Sequence, residues 1–313
     1  MELVYAPAYR MEIGPHVFPT VKYDLVHDRL VEAGLADPAQ IVTPVAARWA
    51  DLALVHTDEY LTKVRRRTLT PAEVALLELP LTDAVTEGFR VMAAGSVDAA
   101  RRALSRGCAA HIGGGLHHAF ANHGEGFCLF NDVALAIRVL RREGRLRRSA
   151  VVDCDVHHGN GTAMIFERDE TVFTFSIHQQ HNYPLFKPRG RLDIGLADGT
   201  GDDEYLARLG AALPAVMASH PDLIIYLAGA DPYHDDQLGG LALTREGLRA
   251  RDEMVLDAAA AAGVAVAVLL AGGYARRLDD TVAIHVGTLT AALERQDVWR
   301  RDPASERSDL SQQ

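Results

Sequence analysis

Cysteine is scarce in this chain, and its few cysteines lack the spacing of a metal site. Only three occur among 313 residues, Cys108, Cys128 and Cys154, and no two of them form a C-x-x-C pair. An odd and sparse set of cysteines is not a disulfide framework, and a structural zinc ribbon needs paired cysteines. The sequence therefore argues against a fold that depends on disulfides or on a zinc ribbon.

The chain also lacks long hydrophobic runs and an excess of basic charge. No apolar stretch reaches the roughly 18 residues of a membrane span, and the first ten residues do not form a secretory signal. A formal charge of −10 disfavours broad binding to nucleic acid or to anionic membranes. We therefore expect a cytoplasmic protein with neither nucleic acid nor membrane as a partner.

Short apolar runs rich in β-branched residues alternate with longer helical patterns. Continuous hydrophobicity without polar alternation is typical of strands that are covered on both faces. The clearest strands are predicted at Ala150–Cys154, Thr171–Ser176, Leu223–Ala228 and Val264–Leu270, and weaker ones at Leu3–Tyr5, Leu52–Val55 and Ala109–Ile112.

Helix boundaries between these runs are marked by capping residues. Thr70 and Glu73 form a capping box, Asn131 precedes an amphipathic stretch, and Gly263 ends a helix predicted at Leu248–Ala262. The alternation predicts an α/β fold with a mostly parallel sheet and helices on both faces. Because no linker divides the chain, we expect one domain over residues 1–296 and a polar tail over 297–313.

Polar clusters follow five of the predicted strands. Parallel sheets carry their sites at the carboxyl ends of their strands, so these clusters are expected to converge on one crevice. The clusters are Gly113–His118, Asp153–Gly161, Ser176–His178, Gly229–Asp231 and Gly272–Tyr274.

Asp155 and His157 are candidate metal ligands. They lie two residues apart where a strand ends, so in extended geometry their side chains point the same way. Asp231 supplies a third candidate from another strand end, and three protein ligands with an open position are typical of catalytic zinc. The competing interpretation is that these side chains cap helices or stabilise turns.

His117 and His118 follow three glycines, and helix periodicity does not explain adjacent histidines. A dinucleotide-binding loop would need a glycine at position 118, so this interpretation of the glycines fails. Two satisfied loop histidines remain an alternative. Tyr274, after Gly272 and Gly273, is a weaker candidate, since tyrosines near turns are common.

Together these segments resemble the histone deacetylase family, which includes bacterial acetylpolyamine amidohydrolases. The matching motifs occur in family order, cover about residues 1–292, and look closest to the class IV branch. They are GGGLHHA, GFCLFNDVA, VVDCDVHHGNGT, FSIH, LAGADP and LAGGY, with His56 and Tyr60 fitting an early H-x-x-x-Y.

The resemblance implies an arginase-like three-layer αβα fold and a zinc-dependent hydrolase, with iron as a substitute metal. Zinc would be held by Asp155, His157 and Asp231. The other implied site residues have three roles. The catalytic residues would be His117, His118, Tyr274, Asp153 and Asn160; the substrate channel would contain Gly126, Phe127 and Tyr183; and a structural potassium ion would lie near Asp153, Ser176 and the carbonyls of Asp155, His157 and Ile177.

Asn160 departs from those family members that carry aspartate as the partner of the second histidine. A neutral partner raises the pKa of His118 less, so the proton assignment within the pair stays open. The expected substrate is an acylated lysine in a protein or peptide, and the alternative is a small acylated amine such as acetylpolyamine.

Two readings from other classes are also open. One is a weakly catalytic acyl-lysine-binding protein, which the intact Tyr274 and the intact ligand set disfavour. The other is a ureohydrolase with two manganese ions, which needs an Asp-x-His-x-Asp run. Here the run is Asp153-x-Asp155-x-His157.

Overall fold

Eight parallel strands form a single sheet in the structure, a computed structural model that describes residues 1–296 and Trp299. Across the sheet the strands lie in the order β2-β1-β3-β8-β7-β4-β5-β6. The strands are β1 (Glu2–Val4), β2 (Ile41–Val42), β3 (Cys108–His111), β4 (Ser149–Asp153), β5 (Val172–Gln179), β6 (Leu192–Leu196), β7 (Leu223–Leu227) and β8 (Ala265–Leu269).

Helices cover both faces of this sheet. The long α5 packs across β1, β3 and β8 together with α6, whereas α9 and α10 pack with α8 and α1. The helices are α1 (Lys22–Glu32), α2 (Trp49–Leu52), α3 (Asp58–Arg66), α4 (Pro71–Leu77), α5 (Asp83–Arg106), α6 (Asp132–Arg142), α7 (Asn160–Ile165), α8 (Asp202–Met217), α9 (Arg245–Ala261) and α10 (Leu278–Glu294).

The central strands are buried along their whole length. Every residue of β3, β4 and β7 is buried, which accounts for their continuous hydrophobicity. The three-layer αβα fold expected from the sequence is confirmed. The three cysteines are free and buried, and no described helix has the length and apolar character needed to cross a bilayer.

Capping residues in the sequence predicted several helix ends correctly. The Thr70 hydroxyl accepts a hydrogen bond from the Glu73 amide, and the Glu73 carboxylate accepts one from the Thr70 amide, so the capping box is present. Asn131 caps α6 through the Ala134 amide at 2.8 Å. Gly263 follows α9 with φ of +66°, a conformation that glycine adopts at little cost.

One predicted strand is wrong. Leu52–Val55 is not extended: α2 ends at Leu52 and a turn follows. Leu52 and Val55 are both buried and lie three residues apart, which matches a helical turn as well as a short strand. The sequence analysis also missed β2 and β6, which lie at the two edges of the sheet. The predicted tail at 297–313 lies outside the described residues, apart from Trp299.

Candidate metal and catalytic centre

Four loops meet at the carboxyl-terminal ends of the central strands, because the strands that precede them are neighbours in the sheet. Strands β3, β8, β7 and β4 lie side by side, and each runs into a polar segment at its carboxyl end. Backbone hydrogen bonds continue past the strand ends, from Leu270 to Gly113 at 3.0 Å and from Ala230 to Gly272 at 2.9 Å. Four of the five predicted clusters are thus adjacent, and the fifth follows β5, beside β4.

Asp155, His157 and Asp231 come together as a buried cluster. One potential ligand atom from each lies within 4.8 Å of the other two. His157 Nδ1 is 3.0 Å from an Asp155 oxygen and 3.5 Å from Asp231 Oδ2. Their remaining oxygens are held by backbone amides, Asp155 by Gly272 and Asp231 by Val156, each at 2.8 Å.

The cluster has the features of a cation site. Asp231 Oδ2 is buried and has no hydrogen-bond partner among the described residues. The chain leaves room around it: a Cβ at Gly272 would lie 1.9 Å from this oxygen, and one at Gly229 would lie 2.9 Å from Asp155 Oδ2. Two carboxylates and one imidazole form a donor set that zinc accepts.

Proton affinities in the cluster agree with this interpretation. Burial lowers the pKa of His157, but the hydrogen bond to Asp155 and the charges of Asp155 and Asp231 outweigh it and raise the pKa to about 10. Burial and the charge of Asp155 raise the pKa of Asp231 to about 7. Burial raises the pKa of Asp155, but the charge of His117 and the hydrogen bond to His157 outweigh it and hold the pKa well below its usual value. The cluster therefore holds protons on His157 and Asp231, where a metal cation would replace them.

His117 and His118 form a buried pair beside this cluster. Their Nε2 atoms are 3.1 Å apart, and each Nδ1 has its own partner. For His117 the partner is Asp153 Oδ2 at 2.7 Å, and for His118 it is Asn160 Oδ1, also at 2.7 Å. Hydrogen bonds to Asp153 and Asn160 therefore fix the orientation of both imidazole rings.

The two partners give the two imidazoles different proton affinities. Burial lowers the pKa of His117, but the charges of Asp153 and Asp155 outweigh it and raise the pKa to about 9. Burial and the positive charges of His117 and His157 hold the pKa of His118 well below its usual value. At neutral pH the structure therefore favours a cationic His117 beside a neutral His118.

A cavity of about 200 Å³ opens onto the cluster. Phe127 and Tyr183 form part of its wall, and Gly126 lies between them and His118. A Cβ at Gly126 would approach both His118 and Tyr183 to 2.9 Å. The lining also includes residues from the loops after β3, β4 and β8, among them Gly114, Leu116, His117, Asp155, His157, Ala271, Gly272 and Tyr274.

Tyr274 reaches the cavity from the loop after β8. Asp236 accepts a hydrogen bond from its amide at 2.7 Å, and its ring lies 6.0 Å from that of Phe127. Burial and the charges of Asp155 and Asp231 hold the pKa of its hydroxyl well above the usual value. The hydroxyl therefore keeps its proton and can act as a donor.

The residues suggested for a monovalent cation lie on β4, on β5 and in the loop after β4. Asp153 and Ser176 are direct register partners of β4 and β5. Asp153 Oδ1 also accepts the amide of Asp155 at 3.1 Å, while Ile177 follows Ser176 within β5. Asp155 and His157, whose carbonyls complete the suggested set, follow Asp153 in the loop after β4.

Two side chains near the site had no functional role in the sequence analysis. The Lys22 ammonium is fully buried below Tyr274, 5.4 Å from its ring centroid, and donates to Ala271 O at 2.9 Å. Glu125 bonds to both Asn160 and Tyr183 at 2.8 Å. The signal for Glu125 was its place beside the G-F-C motif; sequence spacing could not show which side chains it meets.

Comparisons with known proteins agree on one family. A model of the histone deacetylase domain matches residues 16–289. The chain is 32% identical over 304 residues to histone deacetylase 2 of Arabidopsis thaliana, covering 93% of this chain and 79% of that protein. It is 41% identical over 285 residues to an uncharacterised Picosynechococcus protein, covering 90% and 95% of the two chains.

A solved structure shares the fold. The crystal structure of a histone deacetylase homologue complexed with SAHA superposes with a TM-score of 0.79 over 96% of this chain and 84% of that chain. The sequence identity is 23%, so this likeness bears on architecture alone.

Proposed function

The chain belongs to the histone deacetylase family of hydrolases, and on that premise we propose that it hydrolyses the amide of acylated lysine side chains in proteins or peptides. The observation that carries the proposal is the juxtaposition of three groups at one cavity. A buried Asp155–His157–Asp231 cluster, a histidine pair with unlike proton affinities and the Tyr274 hydroxyl all lie there. These are the parts that amide hydrolysis needs.

Asp155, His157 and Asp231 would hold a single zinc ion, with iron as the substitute. When bound, the metal supplies Lewis-acid chemistry: it polarises the acyl carbonyl and lowers the pKa of water. The unpartnered Asp231 Oδ2 and the side-chain-free positions 229 and 272 support this assignment.

His118 would be the general base. Its ring is neutral at neutral pH and Asn160 holds its Nδ1, so its Nε2 is the atom that takes a proton from the attacking water. His117, cationic and held by Asp153, would place positive charge beside the cavity, where negative charge develops on the substrate. The protonated pair then returns a proton to the leaving amine, and the products are a free amine and a carboxylate.

Tyr274 would donate a hydrogen bond to the oxygen on which negative charge develops. A donor placed in a buried site is worth more than one in water and needs no reorganisation during the reaction. Its high pKa keeps the proton on the hydroxyl throughout the neutral range.

The cavity wall would select an extended acylated side chain. Phe127 and Tyr183 would flank the lysine stem, and the Gly126 carbonyl would accept the substrate amide N–H. A potassium ion bound by Asp153, Ser176 and the carbonyls of Asp155, His157 and Ile177 would stabilise the loop that carries the ligands. Residues 1–296 would act as one catalytic domain.

The test is an assay of one purified, zinc-loaded sample against matched substrates. The arms are an acetyl-lysine peptide, the same peptide with longer acyl chains, and an acetylpolyamine, with free amine and carboxylate quantified separately. Turnover of a peptide supports the proposal, and turnover of acetylpolyamine alone reassigns the substrate to small amines.

Two further outcomes reject hydrolysis of acylated amines. Binding of the acetyl-lysine peptide without product formation would indicate a binding protein. Urea release from a guanidino substrate with two manganese ions per chain would indicate a ureohydrolase. Metal analysis of the same sample separates these cases, since the proposal expects one transition-metal ion per chain.

A further inference from the structure

Glu125 lies in a tight turn at the edge of the cavity. Its backbone exchanges two hydrogen bonds with Cys128, at 3.2 and 2.9 Å, and Gly126 and Phe127 between them both have positive φ. The turn carries Phe127 in the cavity wall and the Glu125 carboxylate beside Asn160. Only 12% of the Glu125 side chain is exposed.

The Glu125 carboxylate accepts hydrogen bonds from three side chains. Its Oε1 accepts from Asn160 Nδ2 and from the Tyr183 hydroxyl, each at 2.8 Å, and its Oε2 lies 3.3 Å from His123 Nε2. Burial alone would raise the pKa of Glu125, but these hydrogen bonds outweigh it and leave the pKa below its usual value. The carboxylate is therefore ionised at neutral pH and acts only as an acceptor.

An ionised Glu125 determines which way the Asn160 amide points. In the observed orientation Nδ2 donates to Glu125 and Oδ1 faces His118 Nδ1 at 2.7 Å. The flipped amide would set its oxygen against a carboxylate oxygen, so that two acceptors would meet and a charge-assisted hydrogen bond would be lost. The charge therefore disfavours the flip.

The amide orientation in turn selects the tautomer of His118. The Asn160 oxygen can only accept, so His118 must carry a proton on Nδ1, and its Nε2 is left with the lone pair that faces His117. An isolated asparagine would not add to this selection, because its amide can accept from one tautomer or donate to the other, and the Nε2–H of a cationic His117 would then be the one contact that favours the Nδ1-protonated form. His117 needs no intervening residue of this kind, because the Asp153 carboxylate contacts its Nδ1 directly.

We propose that Glu125 is a positioning residue that, through Asn160, holds His118 in the tautomer with Nδ1 protonated and Nε2 free to act as base. The proposal deepens the function proposed above and rests on it for the role of His118. It also gives Asn160 a defined role, because a carboxylate lies one side chain away from His118 and acts on it through the Asn160 amide.

The alternative is that Glu125 merely anchors Tyr183 in the cavity wall. Tyr183→Phe is the matched control, because it removes the hydroxyl that donates to Glu125 and keeps the ring. If Glu125 serves only Tyr183, then Tyr183→Phe and Glu125→Gln should have the same effects, mainly on KM. If Glu125 acts through Asn160, only Glu125→Gln should alter the tautomer of His118.

The direct readout is the side-chain ¹⁵N–¹H correlation spectrum of His118 in the zinc-loaded protein. We expect one Nδ1–H tautomer in the wild type and in Tyr183→Phe, and a mixture of tautomers in Glu125→Gln. In parallel, Glu125→Gln should lower kcat about tenfold, since a base in the wrong tautomer cannot accept the proton, while KM should change less than about twofold.

The variant Asn160→Asp gives an internal check, because in that background the effect of Glu125→Gln on kcat should have the opposite sign. Asn160→Asp places a carboxylate directly on His118, but next to an ionised Glu125 the two charges repel. Adding Glu125→Gln to Asn160→Asp removes that repulsion and supplies an amide donor, so kcat should rise relative to Asn160→Asp alone. Glu125→Gln should thus lower kcat when residue 160 is asparagine and raise it when residue 160 is aspartate.

A single His118 tautomer with unchanged kcat in Glu125→Gln would overturn the proposal, and so would a change confined to KM. Equal effects of Glu125→Gln in both backgrounds would also overturn it. If the wild type hydrolyses no acylated amine, the function proposed above fails. The tautomer spectrum still decides the role of Glu125, because it does not depend on turnover.

Discussion

The Nε2 atoms of His117 and His118 lie 3.1 Å apart, while the Nδ1 atoms of the two rings are held by an acid and by an amide. This asymmetry separates the proton affinities of two adjacent and chemically identical side chains. His117 retains a proton to about pH 9, and the pKa of His118 lies well below its usual value. One ring therefore provides charge and the other a lone pair.

Tyr274→Phe should lower kcat by about 100-fold or more, because it removes one donor to the developing oxyanion. The zinc content should stay the same, since the hydroxyl is not a ligand. Tyr5→Phe is the control: it removes a hydroxyl that donates to Asp24 at 2.7 Å, away from the cavity. Steady-state kinetics and metal analysis check both variants, and turnover near that of the wild type in Tyr274→Phe would refute the role.

Asp231→Ala should abolish tight metal binding, because it removes one of three ligands and the unpartnered oxygen with it. Asp279→Ala removes an exposed carboxylate that pairs with Arg29 and should leave the metal in place. Metal content after dialysis, measured by mass spectrometry, distinguishes the two. Full metal occupancy in Asp231→Ala would show that the ligand set is wrong.

Gly272→Ala should remove the metal without removing a ligand. Its new Cβ would lie 1.9 Å from Asp231 Oδ2 and 2.6 Å from Asp155 Oδ2, so both carboxylates would have to move. Gly287→Ala in α10 meets nothing within 4 Å and should stabilise the fold by up to about 1 kcal/mol. Metal content and thermal unfolding of the two variants are the measurements; retained metal in Gly272→Ala would contradict the geometry.

His56 should make the protein less stable in mild acid. Burial lowers its folded pKa from 6.5 to about 4, so between these values the unfolded chain binds the extra proton. The stabilising effect is complete above pH 6.5 and is lost as the pH falls towards 4, at up to about 1.4 kcal/mol per pH unit. In His56→Gln this contribution is absent.

Urea unfolding of the wild type and of His56→Gln at several pH values between 7 and 4.5 measures the effect. The difference in free energy of unfolding between the two proteins should shrink as the pH falls. A constant difference across this range would mean that His56 does not stay neutral in the folded state.

The sequence pointed to candidate site residues that lie together in the structure, but it did not locate the edge strands of the sheet. The sequence paired Asp155 and His157 by assuming extended geometry, but they come together in a bend after β4 ends at Asp153. The edge strands β2 and β6 were missed because they are short or only partly buried, and the hydrophobic signal is weak there. The contacts of Glu125 were unpredictable, since they join segments 35 and 58 residues apart.

The order of the strands also has a consequence during synthesis of the chain. The last strand, β8, inserts between β3 and β7, so until the ribosome has released residue 269 both of these strands present open edges. Unpaired strand edges are templates for pairing with other chains, so the nascent chain is exposed to aggregation during this interval. The loop after β8 also supplies the Gly272 amide that holds Asp155, so the Asp155–His157–Asp231 cluster is assembled in full only after this insertion. The proposed metal site would therefore form only once the sheet is complete.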